Sequence, residues 1–297
     1  MPNILITGGA GFIGQLLAER LLREPQYNLV LTDIILPPIP PKAAHPQNVK
    51  AIQADLCDPT SLTNLINTSL PLDAIYIFHG IMSSGAECNF ELGMRVNLTA
   101  TASLLEALRL AQKPNTPPLR VIYASSQAVY GQPLPETIDE NVIPTPEGSY
   151  GAQKLICETL VNDYTRKGYL NGFCLRFPTI SVRPGKPTQA ASSFLSGMVR
   201  EPLGGVECVI PLRDREFRSW LCSPKTLAEN LVCVFSSLFL LVLDVTRAVR
   251  ISESFPIYIP PSVAHSKYLL LRCFTSCDTS TFPKQIILTL RFFRYLR

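Results

Sequence analysis

Short apolar runs alternate with segments of helical spacing through the first half of the chain. Asn3–Thr7 (NILIT) predicts a strand, residues 12–23 carry apolar positions at helical spacing, and Asn28–Asp33 (NLVLTD) predicts a second strand. Residues 49–54 predict a third strand, a helix opens at Asp58-Pro59, and an apolar strand follows at 74–79. A long amphipathic helix is expected over about 89–112, and another strand over 120–124. Strands this apolar, linked by helices, read as an α/β doubly wound parallel sheet covered on both faces. The Pro-rich segments 37–46 and 114–118 fall between elements and read as rigid loops. From Pro178 the rhythm breaks, with Pro184, Pro187 and Pro202 punctuating shorter pieces. The expectation is a sheet domain over 1–177 and a small, incomplete second lobe over 178–232, some of whose elements return to the sheet.

Composition sets the remainder apart. Residues 1–232 hold 19 basic and 20 acidic side chains, whereas the last 65 residues hold 8 and 3 and none of the 16 glycines. The slight basicity therefore belongs to the tail, 233–297, and argues for no nucleic-acid partner. An overall 46% hydrophobic and 17% charged composition fits a folded globular chain. Nine cysteines without a CxxC pair, and three histidines (His45, His79, His265), support neither a disulfide framework nor a metal site. No basic region precedes the first strand, so no signal peptide is expected, and the reading is a cytoplasmic protein with reduced cysteines. The sequon at Asn97-Leu98-Thr99 would then go unglycosylated. The longest apolar run, 231–243, falls short of the ~20 residues that span a bilayer, so no membrane association is expected.

Two constellations carry chemistry. Gly8, Gly11 and Gly14, with Phe12 and Ile13 among them, form a TGxxGxxG turn between the first strand and first helix. There the backbone can approach a pyrophosphate at a helix N-terminus. Asp33 ends the next strand, placed to accept from an adenosine ribose; with no arginine after it, NAD is favoured over NADP. Asp55-Leu56 fits the adenine edge, and Asp55 alone also fits a loop cap. The second constellation is Tyr150xxxLys154. Of ten tyrosines only Tyr150 has a lysine four residues on, which puts phenol and ammonium on one helix face. A phenol ordinarily ionises near pH 10, so a base working near neutrality needs such a cation. Ser126 closes a strand and can hydrogen-bond an oxygen being interconverted between hydroxyl and carbonyl.

The glycine turn, Asp33, the segment Ser125-Ser126-Gln127-Ala128-Val129-Tyr130-Gly131 and Tyr150xxxLys154 together resemble the extended short-chain dehydrogenase/reductase superfamily, also called the NAD-dependent epimerase/dehydratase family. The resemblance covers about residues 2–232. It implies a Rossmann-type domain binding NAD, Tyr150 as general acid/base, Lys154 holding the nicotinamide ribose, Ser126 orienting substrate, and Asn97 near the active site as a cofactor contact. The segments 79–87 (HGIMSSGAE), 91–93 (ELG), 176–187 (RFPTISVRPGKP), 190–194 (AASSF) and 200–203 (REPL) together are similar to a branch that oxidises a hydroxyl of a four-carbon sugar acid, the D-erythronate dehydrogenases.

A sugar acid needs a cation, and Arg183, in a Pro/Gly-rich loop, can clamp a carboxylate. Ser83 fits either a substrate hydroxyl or a solvated loop, Arg176 lies closer to the sheet and fits a structural role, and Trp220 reads as a packing anchor. Gln127-Ala128 stands where sugar-nucleotide dehydratases carry an acidic pair, which disfavours dehydration. A nucleotide-sugar epimerase stays open; Arg213, Arg215 and Arg218 fit its diphosphate site less well than they fit an ordinary solvated basic face. A protein that binds NAD without turnover, its substrate wall impaired by an aberrant tail, also stays open. The expected partner is a small sugar acid, with a homodimer as the open assembly.

Overall fold

The computed structural model of the chain describes residues 1–135, 138, 141–186, 190–211, 219–240 and 268–270. Strand β1 (Asn3–Thr7) turns into α1 (Phe12–Leu21), followed by β2 (Asn28–Asp33), β3 (Val49–Gln53) and α2 (Pro59–Ser69). β4 (Ala74–Ile77) precedes α3 (Ser83–Cys88), α4 (Phe90–Gly93), a π-helical turn (Met94–Thr99) and α5 (Ala100–Ala111). Next come β5 (Arg120–Ser126), α6 (Ser149–Arg166) and β6 (Asn171–Phe177). The last described elements are β7 (Thr179–Ile180), α7 (Ser193–Leu203), β8 (Leu221–Cys222), α8 (Pro224–Leu240) and β9 (Tyr268–Leu270). The main sheet is parallel throughout, in the order β3-β2-β1-β4-β5-β6-β9. Its order reverses between β1 and β4, and a crevice opens beyond the carboxyl ends of the strands at such a switch.

Strand alternation explains why both faces are dry. Ile4 and Ile6 of β1 point to the layer formed by α1 and α8, while Leu5 between them points to α2, α5 and α6. The Asp58 carboxylate accepts from the N–H groups of Thr60 and Ser61, with Pro59 at the first helical position.

Two expected elements differ in form. β4 stops at Ile77 because the next N–H, of Phe78, bonds the Thr7 hydroxyl at 3.1 Å instead of continuing the ladder. The single helix expected over 89–112 is interrupted by the π-helical turn, which inserts an extra residue into the spiral. Around that turn the Asn97 carbonyl accepts from the Thr101 hydroxyl (2.8 Å) and the Cys157 thiol (3.3 Å).

β7 and β8 pair as a separate two-stranded sheet, in the stretch where the small second lobe is expected. α8 does not join that lobe. It returns to the main sheet, where Leu231, Val234 and Phe235 are buried, Tyr76 Oη donates to the Leu231 carbonyl (3.0 Å), and Arg120 donates to the Phe235 carbonyl (3.0 Å). The helix thus crosses position 232 unbroken, and its apolar face places part of the compositional tail in the core. Most of the remaining tail, including its basic end at 291–297, lies outside the described residues, as do Arg213, Arg215 and Arg218. Among the described residues no helix is long and apolar enough to cross a membrane.

Phe235 sits edge-on to Tyr27, with ring centroids 5.8 Å apart, and under the Arg120 guanidinium. Phe235→Ala is expected to cost about 3 kcal/mol of stability, read as a lower urea midpoint. An unchanged midpoint would mean that the helix beyond residue 232 is not part of the core.

Candidate active site

The glycine turn is shaped by contact with neighbouring backbone. Gly8 has φ +68°, and a Cβ on Gly14 would stand 2.3 Å from the Gly8 carbonyl oxygen. Only hydrogen at Gly14 lets α1 start this close to β1. Asp33 is fixed against the same turn: its two carboxylate oxygens accept from the N–H groups of Ala10 (3.0 Å) and Ile34 (2.8 Å). Asp55 accepts from the Cys57 N–H at 2.8 Å, so it does cap its own loop, and it faces the crevice as well.

On the other side of the crevice, α6 carries Tyr150 and Lys154 one turn apart. Lys154 is 4% exposed. A buried ammonium needs an acceptor, and its Nζ donates to the Ala124 carbonyl of β5 at 2.8 Å. The same Nζ lies 4.8 Å from the Tyr123 ring centroid and 5.6 Å from that of Tyr150. No side chain of α6's own N-cap, Gly148, closes the helix start; Glu87 of α3 accepts from the Ser149 N–H at 2.9 Å instead. Ser126 ends β5, and its Oγ accepts from the Ala128 N–H at 3.1 Å, which leaves its own proton to donate elsewhere. Behind this wall, Arg176 makes a two-pronged pair with Glu158, both fully buried, and bonds Tyr130 Oη, the structural role its position suggested.

His79, two residues beyond β4, joins the two halves. The Thr101 hydroxyl proton is committed to the Asn97 carbonyl, so Thr101 Oγ1 accepts from His79 Nε2–H (3.2 Å), and the Thr7 hydroxyl donates to Nδ1 (2.9 Å). Burial, helped by the positive charge of Lys154, lowers the His79 pKa to about 3. The ring is neutral at working pH.

A single cavity of about 1240 Å³ collects the expected residues. Gly8, Gly11, Phe12, Ile13 and Gly14 line one end with Asp33, Asp55 and Leu56, while Ser83, Ser126, Tyr150, Lys154 and Arg183 line the other. Ser83 Oγ also accepts from the Ala191 N–H (3.0 Å), joining β4's loop to the small lobe. Arg183 Nε donates to the Ile180 carbonyl (3.1 Å), and desolvation pulls its pKa below the ordinary value. No acidic side chain among the described residues pairs with it. Asn97 does not line the cavity. Its amide is spent on the Ile81 backbone (2.6 and 3.1 Å) and on Gln153 (2.7 Å), so it shapes the loop after β4 from behind. Trp220 meets Tyr130 edge to face at 6.2 Å, and both rings line the wall. Sequence reasoning gave His79 and Thr179 no role beyond their place in the segments that carry the resemblance, and it did not name Thr101, whose only signal was its position on a facing helix.

A model of one family matches residues 4–223, that of the NAD dependent epimerase/dehydratase family. The chain belongs to that family. It is an NAD-dependent enzyme of the extended short-chain dehydrogenase/reductase type. Among curated relatives, D-erythronate dehydrogenase of Haemophilus influenzae is 43% identical over 233 residues, 77% of this chain and 71% of the relative. D-erythronate dehydrogenase of Cupriavidus necator is 43% identical over 237 residues, with the same coverage of each. A solved nucleoside-diphosphate-sugar epimerase from Agrobacterium tumefaciens superposes with a TM-score of 0.70 at 39% identity, over 77% of this chain and 67% of that one. The residues present fit NAD. The glycine turn leaves a cradle that a Cβ at Gly14 would fill. The cavity exceeds the ~300–1000 Å³ of ordinary small-molecule sites, and the buried Ser125 hydroxyl on its wall has no hydrogen-bond partner among the described residues.

The His79 ring predicts a pH effect on stability. Unfolded, it titrates near its ordinary ~6.5, whereas folded it is held at about 3. The unfolded chain therefore binds the extra proton in that window, and stability falls as pH drops from ~6.5 toward 3, by up to ~1.4 kcal/mol per pH unit. His79→Gln should flatten this part of the profile. Identical pH slopes for both proteins in urea titrations would contradict the buried neutral ring.

Proposed function

We propose that the enzyme oxidises a secondary hydroxyl of a small, D-erythronate-like sugar acid, with Ser126, Tyr150 and Lys154 at the reacting oxygen. One observation carries the reading: Arg183 lines the same cavity as these three, without an acidic partner among the described residues. The only carboxylates on the described wall, Asp33 and Asp55, are beside the glycine turn, away from Arg183. An anionic substrate gains a cation and meets no like charge, while a substrate carrying an ammonium gains nothing. The 43% identity to two D-erythronate dehydrogenases supports the same substrate class.

In this mechanism Gly8, Gly11 and Gly14 admit the pyrophosphate of NAD, and Asp33 keeps a lone pair on each oxygen for ribose hydroxyls. NAD, when bound, supplies the hydride acceptor. Tyr150 takes the proton from the substrate hydroxyl, with the Lys154 positive charge beside the phenolate. Ser126 donates its free proton to the same oxygen and holds it in line. Arg183 grips the carboxylate, which fixes the reacting carbon relative to the phenol. The apolar wall of Phe177, Tyr130 and Trp220 excludes water around these groups. The cytoplasm is the compartment in this reading; six of the seven described cysteines are free thiols, whereas Cys222 is disulfide-bonded, contrary to the expectation that every cysteine is reduced.

NADH formation measured across sugar acids, with nucleotide sugars as controls, tests the assignment. Turnover of a four-carbon sugar acid is the expected result, and activity confined to nucleotide sugars would select the epimerase reading. Tyr150→Phe should lower kcat by ~10²–10⁴ with the Kd for NAD nearly unchanged; undiminished turnover would remove Tyr150 from its role. Arg183→Met should raise KM for the acid about 10–100-fold, the loss expected of a charge-assisted bond, and leave NAD binding alone. An unchanged KM would place the carboxylate elsewhere.

A further inference from the structure

Gln127 is a polar side chain on the cavity wall to which this reaction gives no work. It directly follows Ser126, begins the short 3-10 turn Gln127–Val129, and lines the wall with Thr179 and Arg183. Its Nε2 donates to the Thr179 hydroxyl at 3.2 Å. Thr179 is a firm anchor: it is 4% exposed and its own N–H bonds the Trp220 carbonyl at 3.0 Å. One N–H of the amide is thereby fixed, and the carbonyl oxygen Oε1 has no hydrogen-bond donor among the described residues.

That oxygen can only accept. A substrate carboxylate, itself only an acceptor at neutral pH, gains nothing from it, whereas a substrate hydroxyl donates to it. Arg183 is anchored on the same short segment, through the Ile180 carbonyl next to Thr179. The two groups therefore sort the parts of one substrate, the anion going to Arg183 and a hydroxyl to Gln127. Ser126 and Tyr150 already hold the reacting oxygen, and Gln127 is the next residue along, so the hydroxyl that reaches it belongs to a neighbouring carbon.

We propose that Gln127 is a specificity-determining residue whose Oε1 reads the hydroxyl next to the reacting one, which makes a polyhydroxy acid the preferred substrate over a simple hydroxy acid. Pre-fixing by Thr179 means that the amide is not ordered at the expense of binding, and a site left with an unpaired polar group rejects the deoxy analogue. This inference rests on the sugar-acid reading above.

The test compares D-erythronate with two of its monodeoxy analogues, 2,4-dihydroxybutanoate and 3,4-dihydroxybutanoate, in NADH-linked rates of the full chain. One analogue keeps the reacting hydroxyl and lacks its neighbour. Wild type should prefer D-erythronate over that analogue by at least ~10-fold in kcat/KM. Gln127→Met, close in shape and unable to accept in the same way, should bring the two values to within about threefold by lowering only the D-erythronate value, with the Kd for NAD unchanged. A preference that survives, or an equal fall on both substrates, overturns the role of Gln127. If the Met variant does not fold, Gln127→Glu keeps an acceptor oxygen. It should weaken both acids while preserving their ratio, and a lost ratio would count against the proposal. Wild-type inactivity on all three acids overturns the substrate reading itself, and this inference with it.

Discussion

One buried bond organises the site: the Lys154 ammonium on the Ala124 carbonyl at 2.8 Å. An ammonium at 4% exposure is tolerable only if its protons are satisfied. Here a strand-end carbonyl and the faces of two tyrosines do so. The bond fixes the first turns of α6 against the carboxyl end of β5. Tyr150 on that helix and Ser126 two residues past Ala124 are thereby brought to one cavity wall. Breaking it would leave a buried charge unpaired, a loss of several kcal/mol, so the catalytic geometry and the stability of this corner depend on the same contact.

The opposite wall is held by a neutral network. Thr7 at the end of β1, His79 after β4, Thr101 on α5 and Asn97 in the π-helical turn are linked in series, and Asn97 passes the link to Ile81 and to Gln153 of α6. The Thr101 proton is committed to the Asn97 carbonyl, and the Thr7 hydroxyl lies nearer to His79 Nδ1 (2.9 Å) than to the Tyr76 carbonyl (3.4 Å), an arrangement that suits one neutral tautomer of the imidazole. The glycine turn and the Tyr150 helix are thus registered against each other through a network of which only His79 among Thr7, His79, Thr101 and Asn97 reaches the cavity wall.

Much of this was legible in the sequence, and the limits have physical causes. Local signals carried well: apolar strands, the glycine spacing fixed by close backbone approach, Asp33 at a strand end, and the four-residue spacing of Tyr150 and Lys154. Arg176 was correctly set apart from Arg183 by its nearness to the sheet, where it pairs with Glu158. Long-range pairings left no local trace. The Gln127–Thr179 bond spans 52 residues and the α8 contact with Tyr76 spans 155. The π-helical turn also escaped, because inserting one residue in a spiral barely alters apolar periodicity. Asn97 was placed near the active site on resemblance alone; its amide serves the backbone of the loop, a distinction that spacing does not carry. The compositional break near residue 232 was real, but composition does not report where a helix ends, and α8 crosses it.

The most direct test of the account is a crystal structure of the chain with NAD and a four-carbon sugar acid. The account predicts that one substrate oxygen lies about 2.7–3.1 Å from both Tyr150 Oη and Ser126 Oγ. The carbon bearing it should approach the nicotinamide at about 3–3.5 Å, with the carboxylate on Arg183. A substrate whose carboxylate avoids Arg183, or whose reacting hydroxyl is out of reach of Tyr150, would contradict it.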